Sequence, residues 1–267
     1  MSTATVIILG DLVGATGRKL LKKHLPTLQE QHSPDLVIVN GENSAHGKGI
    51  TPKVVQELKD AGVDIITSGN HIWDKKDIIP YLQENNDVLR PANYPEECPG
   101  VGVTTIKKNG HTFGVVNLMG RVFMGVQGDC PFKKADIIIE ELKKETPLIF
   151  VDFHAEATSE KLGMGYHLEG KVSAVVGTHT HIQTADARIL PKGTAYITDL
   201  GMAGTLNSMI GVTKEPIMNK FMTQMPQRHE VATEPPFVMS GVVITVDTST
   251  GNALDIERIY IVDNNEL

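Results

Sequence analysis

The chain is poor in cysteine, with Cys98 and Cys130 alone among 267 residues, each followed by proline and neither in metal-site spacing. That excludes a disulfide framework and a thiolate-held cluster, and two reduced, unpaired thiols are expected. No stretch approaches the roughly 20 consecutive apolar residues of a membrane span. The apolar start, Met1 to Leu9, is short, lacks a basic flank and runs straight into Gly10-Asp11, so it reads as a first strand and not as a secretion signal. An excess of positive charge is also missing. A net charge of -7 argues against an extended nucleic-acid surface but leaves a small nucleotide open as a ligand. Gly10, Gly14 and Gly17 follow a strand and precede a helix, yet they form neither Gly-x-Gly-x-x-Gly nor a P-loop with its Lys-Ser/Thr. What remains is a soluble, cytoplasmic chain of ordinary globular composition, expected to fold as one domain over 1–267.

Strand-like and helix-like runs alternate along that chain. Thr5 to Leu9, Asp35 to Asn40, Asp64 to Thr67, Leu148 to Val151 and Val172 to Val176 read as buried strands. Gly17 to His32, the stretch from Thr51-Pro52 to Ala61-Gly62, Lys76 to Gln83 and Ala135 to Glu145 read as helices. Thr51 serves as an N-cap there, with proline in the first turn where no donor is lost. Val101 to Lys107, Asn109-Gly110 and Thr112 to Leu118 form a hairpin signature. Ala187 to Leu190 with Ala195 to Thr198, and Gly241 to Asp247 with Ile256 to Val262, read as further strands. Early βαβ units with later hairpins imply an α/β fold with mixed sheets and helices outside. Gly204 to Pro236 is the least regular stretch, rich in methionine and proline. It is expected to be a cap, an oligomer contact, or a surface segment holding a short helix.

The apolar runs end in metal-binding side chains. Asp11, Glu42, Asn70 with His71, His154, and His179 with His181 each follow a strand. An open α/β sheet builds its site beyond the carboxyl ends of its strands. Oxygen and imidazole donors without thiolate suit hard or borderline divalent ions, here two of them. In extended chain His179 and His181 face one way, with Thr178 and Thr180 facing the other. Asp152, two residues before His154, reads as support from behind rather than as a ligand. Taken singly, each of these side chains has an ordinary role in a turn, a cap or the core. The repetition at consecutive strand ends carries the metal reading.

Gly10-Asp11, Gly41-Glu42-Asn43, Gly69-Asn70-His71, His154 and Gly177-Thr178-His179-Thr180-His181 resemble, in order, the motifs of calcineurin-like metallophosphoesterases. Longer strings resemble the bacterial YmdB-like phosphodiesterases over nearly the whole chain. They include Thr67-Ser68-Gly69-Asn70-His71-Ile72-Trp73-Asp74, Arg90-Pro91-Ala92-Asn93-Tyr94-Pro95 and Asp152-Phe153-His154-Ala155-Glu156-Ala157-Thr158. The resemblance implies a four-layer sandwich, two mixed β-sheets flanked by helices, with a dinuclear iron or manganese centre. On that template Asp11, Glu42 and His181 hold one ion and Asn70, His154 and His179 the second. Glu42 bridges, and Asn43 completes the first site. The broader superfamily has Asp-x-His at the first strand. Here the string is Asp11-Leu12-Val13, so the first site is expected to be the weaker one.

The same resemblance implies a phosphodiesterase of cyclic nucleotides, 2',3'-cyclic before 3',5'-cyclic, working through a hydroxide shared by two ions. His71 is placed to protonate the leaving oxygen, with Asp74 as a partner. Arg121 is a candidate phosphate clamp and Phe123 a candidate base-stacking residue. A homo-oligomer is expected. The competing reading is a nucleotide-sensing regulatory scaffold with a structural metal site, but structural sites favour closed Cys/His sets, which this chain lacks.

Overall fold

Val6 and Ile8 of the first strand join one apolar cluster, and Ile7 and Leu9 join another. That alternation, repeated on neighbouring strands, is how period-two strands build two cores from one sheet. The computed structural model describes residues 2–125 and 127–267, so Met1, the first residue of the N-terminal run, lies outside it. Strands β1 (Thr3–Leu12), β2 (Leu36–Asn40) and β3 (Ile65–Thr67) run parallel. They share a sheet with β10 (Met202–Thr205), β11 (Phe237–Asp247) and β12 (Ala253–Asp263), in the order β12-β11-β10-β1-β2-β3. The second sheet is ordered β4-β5-β6-β7-β9-β8. Its strands are β4 (Val103–Lys108), β5 (His111–Met119), β6 (Ile149–His154), β7 (Ala174–Thr178), β8 (Arg188–Ile189) and β9 (Ala195–Ile197). Both sheets are mixed: the first joins β10, β1, β2 and β3 in parallel and β10, β11 and β12 antiparallel, and the second runs parallel through β5, β6, β7 and β9 with antiparallel β4 and β8 at its edges.

The sheets face each other across a core of Val6, Ile8, Ile38, Phe113, Phe150, Val176 and Ile197. Helices α1 (Gly14–His32), α2 (Pro52–Asp60) and α3 (Ile78–Glu84) cover the outer face of the first sheet, with Leu20, Leu21, Leu25, Leu58 and Leu82 packed on Ile7, Val37 and Val39. Helices α4 (Pro131–Leu142) and α5 (Thr158–His167) cover the second, through Ile139 and Met164 against Val151 and Phe153. The result is helix, sheet, sheet, helix. Each fully buried Leu, Ile or Phe contributes about 1.5–3 kcal/mol of transfer free energy, so the three clusters dominate the fold.

Several elements depart from expectation. Helix α4 starts one turn early, at Pro131, whose fixed φ suits the first helical position. Helix α5 and strand β10 carry no strong pattern in the sequence. Gly163 and Gly165 weaken the helical signal of α5, yet Gly165 is required there because a Cβ would meet the Tyr196 ring. The 204–236 stretch holds the end of β10 and one helix, α6 (Lys214–Thr223).

Candidate metal centre

The expected ligands come from both sheets and meet at the carboxyl ends of β1, β2, β3, β6 and β7. Beneath them lies Asp152, buried on β6. It accepts hydrogen bonds from Thr67 Oγ1 at 2.5 Å and Asn40 Nδ2 at 3.1 Å in the other sheet, and from Thr178 Oγ1 at 2.7 Å. Burial pushes its carboxyl up to about 6, against the lowering effect of those hydroxyls and His154. Thr178 passes the contact on, because His154 Nδ1 lies 2.9 Å from its hydroxyl. With that hydroxyl donating to Asp152, Nδ1 is the donor to Thr178 and Nε2 carries the lone pair.

His154 Nε2 looks into a nest of acceptors. Glu42 Oε1 and Asn70 Oδ1 are each 3.1 Å away, and His179 Nδ1 is 3.0 Å away. Donor atoms gathered in this way could share a cation. Donors about 2.0–2.2 Å from one divalent ion and at right angles to one another lie about 3 Å apart, which these separations match. Glu42, His154 and His179 form a group able to hold a metal ion. Burial opposes charge on His154, yet Glu42 and Asp11 raise its imidazole above the usual value. His179 goes the other way, pushed down to about 4 by burial and by His154.

A second group adjoins the first through Glu42. Asn43 Nδ2 stands 3.3 Å from Glu42 Oε1, 3.3 Å from Asp11 Oδ1 and 3.1 Å from His181 Nε2. A half-turn of that amide presents Oδ1 to the same point. His181 Nδ1 donates to the Ile210 carbonyl at 2.8 Å, which leaves Nε2, 3.6 Å from Asp11 Oδ1, as the nitrogen that would face an ion once its own proton is displaced. Burial disfavours charge on His181, but Asp11 overrides it and pushes the imidazole up to about 9. Burial likewise works to raise the Asp11 carboxyl, and His181 and His154 hold it well below the carboxylate range. The donor set therefore fits two cations sharing Glu42.

The His179-Thr180-His181 turn differs from expectation. β7 ends at Thr178, and His179 and His181 have φ of 102° and 65°, so the chain is not extended. The two imidazoles serve different groups, and Thr178 faces inward to His154. Asp11 Oδ2 accepts the His179 amide at 3.2 Å. Asp199 accepts from the Thr180 amide and hydroxyl at 3.1 and 2.7 Å, and Lys161 pairs with it at 2.6 Å. Glu156 Oε2 lies 3.2 Å from His179 Nε2. Sequence reasoning turned Thr178 away from the site, where the structure has it contact His154 and Asp152, and gave no role to Glu156, Lys161 or Asp199. Thr178, Glu156 and Lys161 stand near the ligand motifs in sequence, whereas nothing local signals Asp199.

Two glycines let the ligands approach. A Cβ at Gly69 would overlap the His154 imidazole, and one at Gly10 would overlap the Gly201 carbonyl. Gly10 thus marks a close backbone approach, with a register irregularity between Leu9 and Asp11, while β1 continues to Leu12.

Above the ligands opens a cavity of about 410 Å³, within the range of small-ligand sites. Glu42, Asn43, His71, His179 and His181 line its floor. The 204–236 stretch supplies one wall, from Met209 to His229. His71 donates its amide to Glu42 Oε2 at 3.1 Å, and its Nδ1 lies 3.0 Å from Asp74 Oδ2.

The sequence pattern of YmdB-like proteins matches residues 7–259. The chain belongs to the YmdB-like family. A 2',3'-cyclic-nucleotide 2'-phosphodiesterase of Bacillus subtilis (strain 168) is 51% identical over 259 residues, covering 97% of each chain. Among solved structures, a phosphatase from Mycoplasma pneumoniae superposes with TM-score 0.93 at 38% identity, covering 99% of this chain and 95% of the other. A hypothetical protein from Thermus thermophilus superposes at 0.88, also 38% identical, covering 97% and 99%. This YmdB-like chain therefore has the α/β fold of two mixed sheets flanked by helices that its resemblance implied.

Two expected contacts of the YmdB-like chain lie apart from the cavity. Arg121 and Phe123 are exposed and do not line it. Phe123 is 86% exposed with φ of 62°, and the amides of Arg121 and Val122 are tied to Glu160. Among the described residues no helix is long and apolar enough to cross a membrane.

Proposed function

We propose that this chain is a cytoplasmic, dinuclear metal-dependent phosphodiesterase that opens the 2' P–O bond of nucleoside 2',3'-cyclic phosphates to give 3'-phosphates. The observation that carries the reading is the pair of donor groups sharing Glu42 at the base of a ligand-sized cavity. The activity of the 51% identical relative supports the choice of substrate. Asp11, Glu42, Asn43 and His181 would hold one ion, and Glu42, Asn70, His154 and His179 the other, iron or manganese on donor chemistry. Bound there, the ions supply Lewis acidity and lower the pKa of a coordinated water.

The chain's own side chains do the rest. Asp152 and Thr178 fix the His154 tautomer, and Ile210 fixes that of His181. His71, braced by Asp74, faces the cavity and donates a proton to the departing O2' as the P–O2' bond breaks, while water adds to phosphorus. The 204–236 segment acts as a fixed cap that limits solvent at the reacting phosphate.

Hydrolysis of adenosine 2',3'-cyclic phosphate by manganese- or anaerobically iron-loaded protein tests the proposal, with Glu42→Gln as the control. Turnover to 3'-AMP that vanishes in Glu42→Gln is expected. Metal binding without turnover of any cyclic diester would overturn the substrate. Failure to bind metal would overturn the metalloenzyme reading, and metal bound without any phosphodiesterase activity would favour the scaffold.

A further inference from the structure

Lys48, Lys220 and His229 line the same cavity. Lys48 follows the second strand, Lys220 lies on α6 and His229 beyond it, so only the fold brings them together. The His229 imidazole is held below its usual value by burial, then by Lys220 and Lys48, with no acid among the causes to offset them. Among the described residues neither lysine forms an ion pair, although many other lysines of the chain do. In a chain of net charge -7, two uncompensated ammonium groups facing one concavity form a local anion site.

The scissile diester does not account for them. It is a monoanion, and two divalent ions over the Asp11 and Glu42 carboxylates already offer it excess positive charge. The rest of the wall includes apolar side chains, with Ile210 49% and Phe221 68% exposed. Such a wall suits a nucleoside base.

Resting on the function proposed above, we infer that the preferred substrate carries a second phosphate on its 5' side, which Lys48 and Lys220 hold while the cyclic phosphate meets the floor and the base lies on Ile210 and Phe221. The shared chemistry is a 5'-phosphorylated ribonucleoside with a 2',3'-cyclic end. A phosphorylated mononucleotide and the cleaved end of a short RNA both provide it.

Calorimetric binding of adenosine 3',5'-bisphosphate and adenosine 3'-monophosphate to the metal-loaded protein isolates the extra phosphate. The bisphosphate is expected to bind on the order of tenfold to a hundredfold more tightly. That ratio should collapse toward one in the Lys48→Ala/Lys220→Ala double variant and persist in Lys144→Ala, which removes the same charge outside the cavity. Phe221→Ala should weaken both nucleotides and preserve the ratio. Equal affinities in wild type, or a ratio that survives the double variant, overturns the inference. The kcat/KM of adenosine 2',3'-cyclic phosphate, its 5'-phosphorylated form and a dinucleotide with a cyclic end then separates the sources. Preference for the dinucleotide assigns RNA ends, and preference for the phosphorylated monomer alone assigns a mononucleotide. If none of the three is opened, the proposed function fails. If all are opened equally, only the second phosphate site fails.

Discussion

Lys161 and Asp199 form an ion pair of 2.6 Å with both side chains sealed from water, and the same Asp199 oxygen accepts the amide and hydroxyl of Thr180. A buried charge pair thus anchors the turn between His179 and His181. Removing one partner of such a pair strands the other charge and typically costs about 3–5 kcal/mol. Lys161→Met should lose about that much in denaturant unfolding of the metal-free protein. Adding Asp199→Leu should recover part of the stability but not metal retention, since Thr180 has lost its acceptor. Recovery of both would show that the pair does not position the histidines.

Gly69→Ala is a test of ligand placement alone. Its Cβ would enter the space of the His154 ring. The variant should keep its far-ultraviolet circular dichroism while metal content, read by plasma emission spectrometry, falls below that of wild type. Full metal content would mean that His154 can retreat without loss.

His71→Gln should retain both metals and lower kcat for a cyclic nucleotide by about 10²–10⁴-fold. A diester with 4-nitrophenolate as leaving group needs little protonation, so its loss should be much smaller. Equal losses on both substrates would remove His71 as the acid. Asp74→Asn, changing only the brace at 3.0 Å, should cost less.

The His181–Asp11 contact sets a pH dependence of stability. Asp11 pushes His181 up to about 9, above its unfolded value of about 6.5. That contribution is fully present below about pH 6.5 and is lost as pH rises through about 9. Metal-free protein should therefore lose thermal stability from this contact between about pH 7 and 9, while metal-loaded protein, its proton already displaced, should not. For the same reason metal affinity should rise with pH up to about 9, with protons released on binding. Calorimetry in buffers of different ionisation enthalpy counts those protons, and none released at pH 7 would contradict the pairing.

The strand-end positions were legible because each candidate ligand terminates an apolar run, and a buried parallel strand delivers its last residues to one edge of the sheet. Asp11, Glu42, Asn70, His154, His179 and His181 do converge there. The turn holding His179 and His181 was not legible, since left-handed backbone at two non-glycine residues is imposed by Asp199 and Asp11 and not by local preference. Strand β10, Met202 to Thr205, has little strand propensity of its own and exists because β1 and β11 pair with it on either side. The cluster of Lys48 with Lys220 and His229 joins a loop, helix α6 and the segment after it, and no spacing rule reaches that far.

Asp11 and His179 meet across 168 residues of chain, and the remaining donors are scattered between the two sheets. An unfolded chain could therefore offer an ion little more than the lone His179-x-His181 pair, so on the proposed function metal would be captured by the finished sandwich and not during its assembly. The order of events would then be folding first and loading second, which would leave the choice of ion to the supply the folded protein meets. Ions held there would join donors from both sheets, and their removal should be felt as a loosening of one sheet against the other.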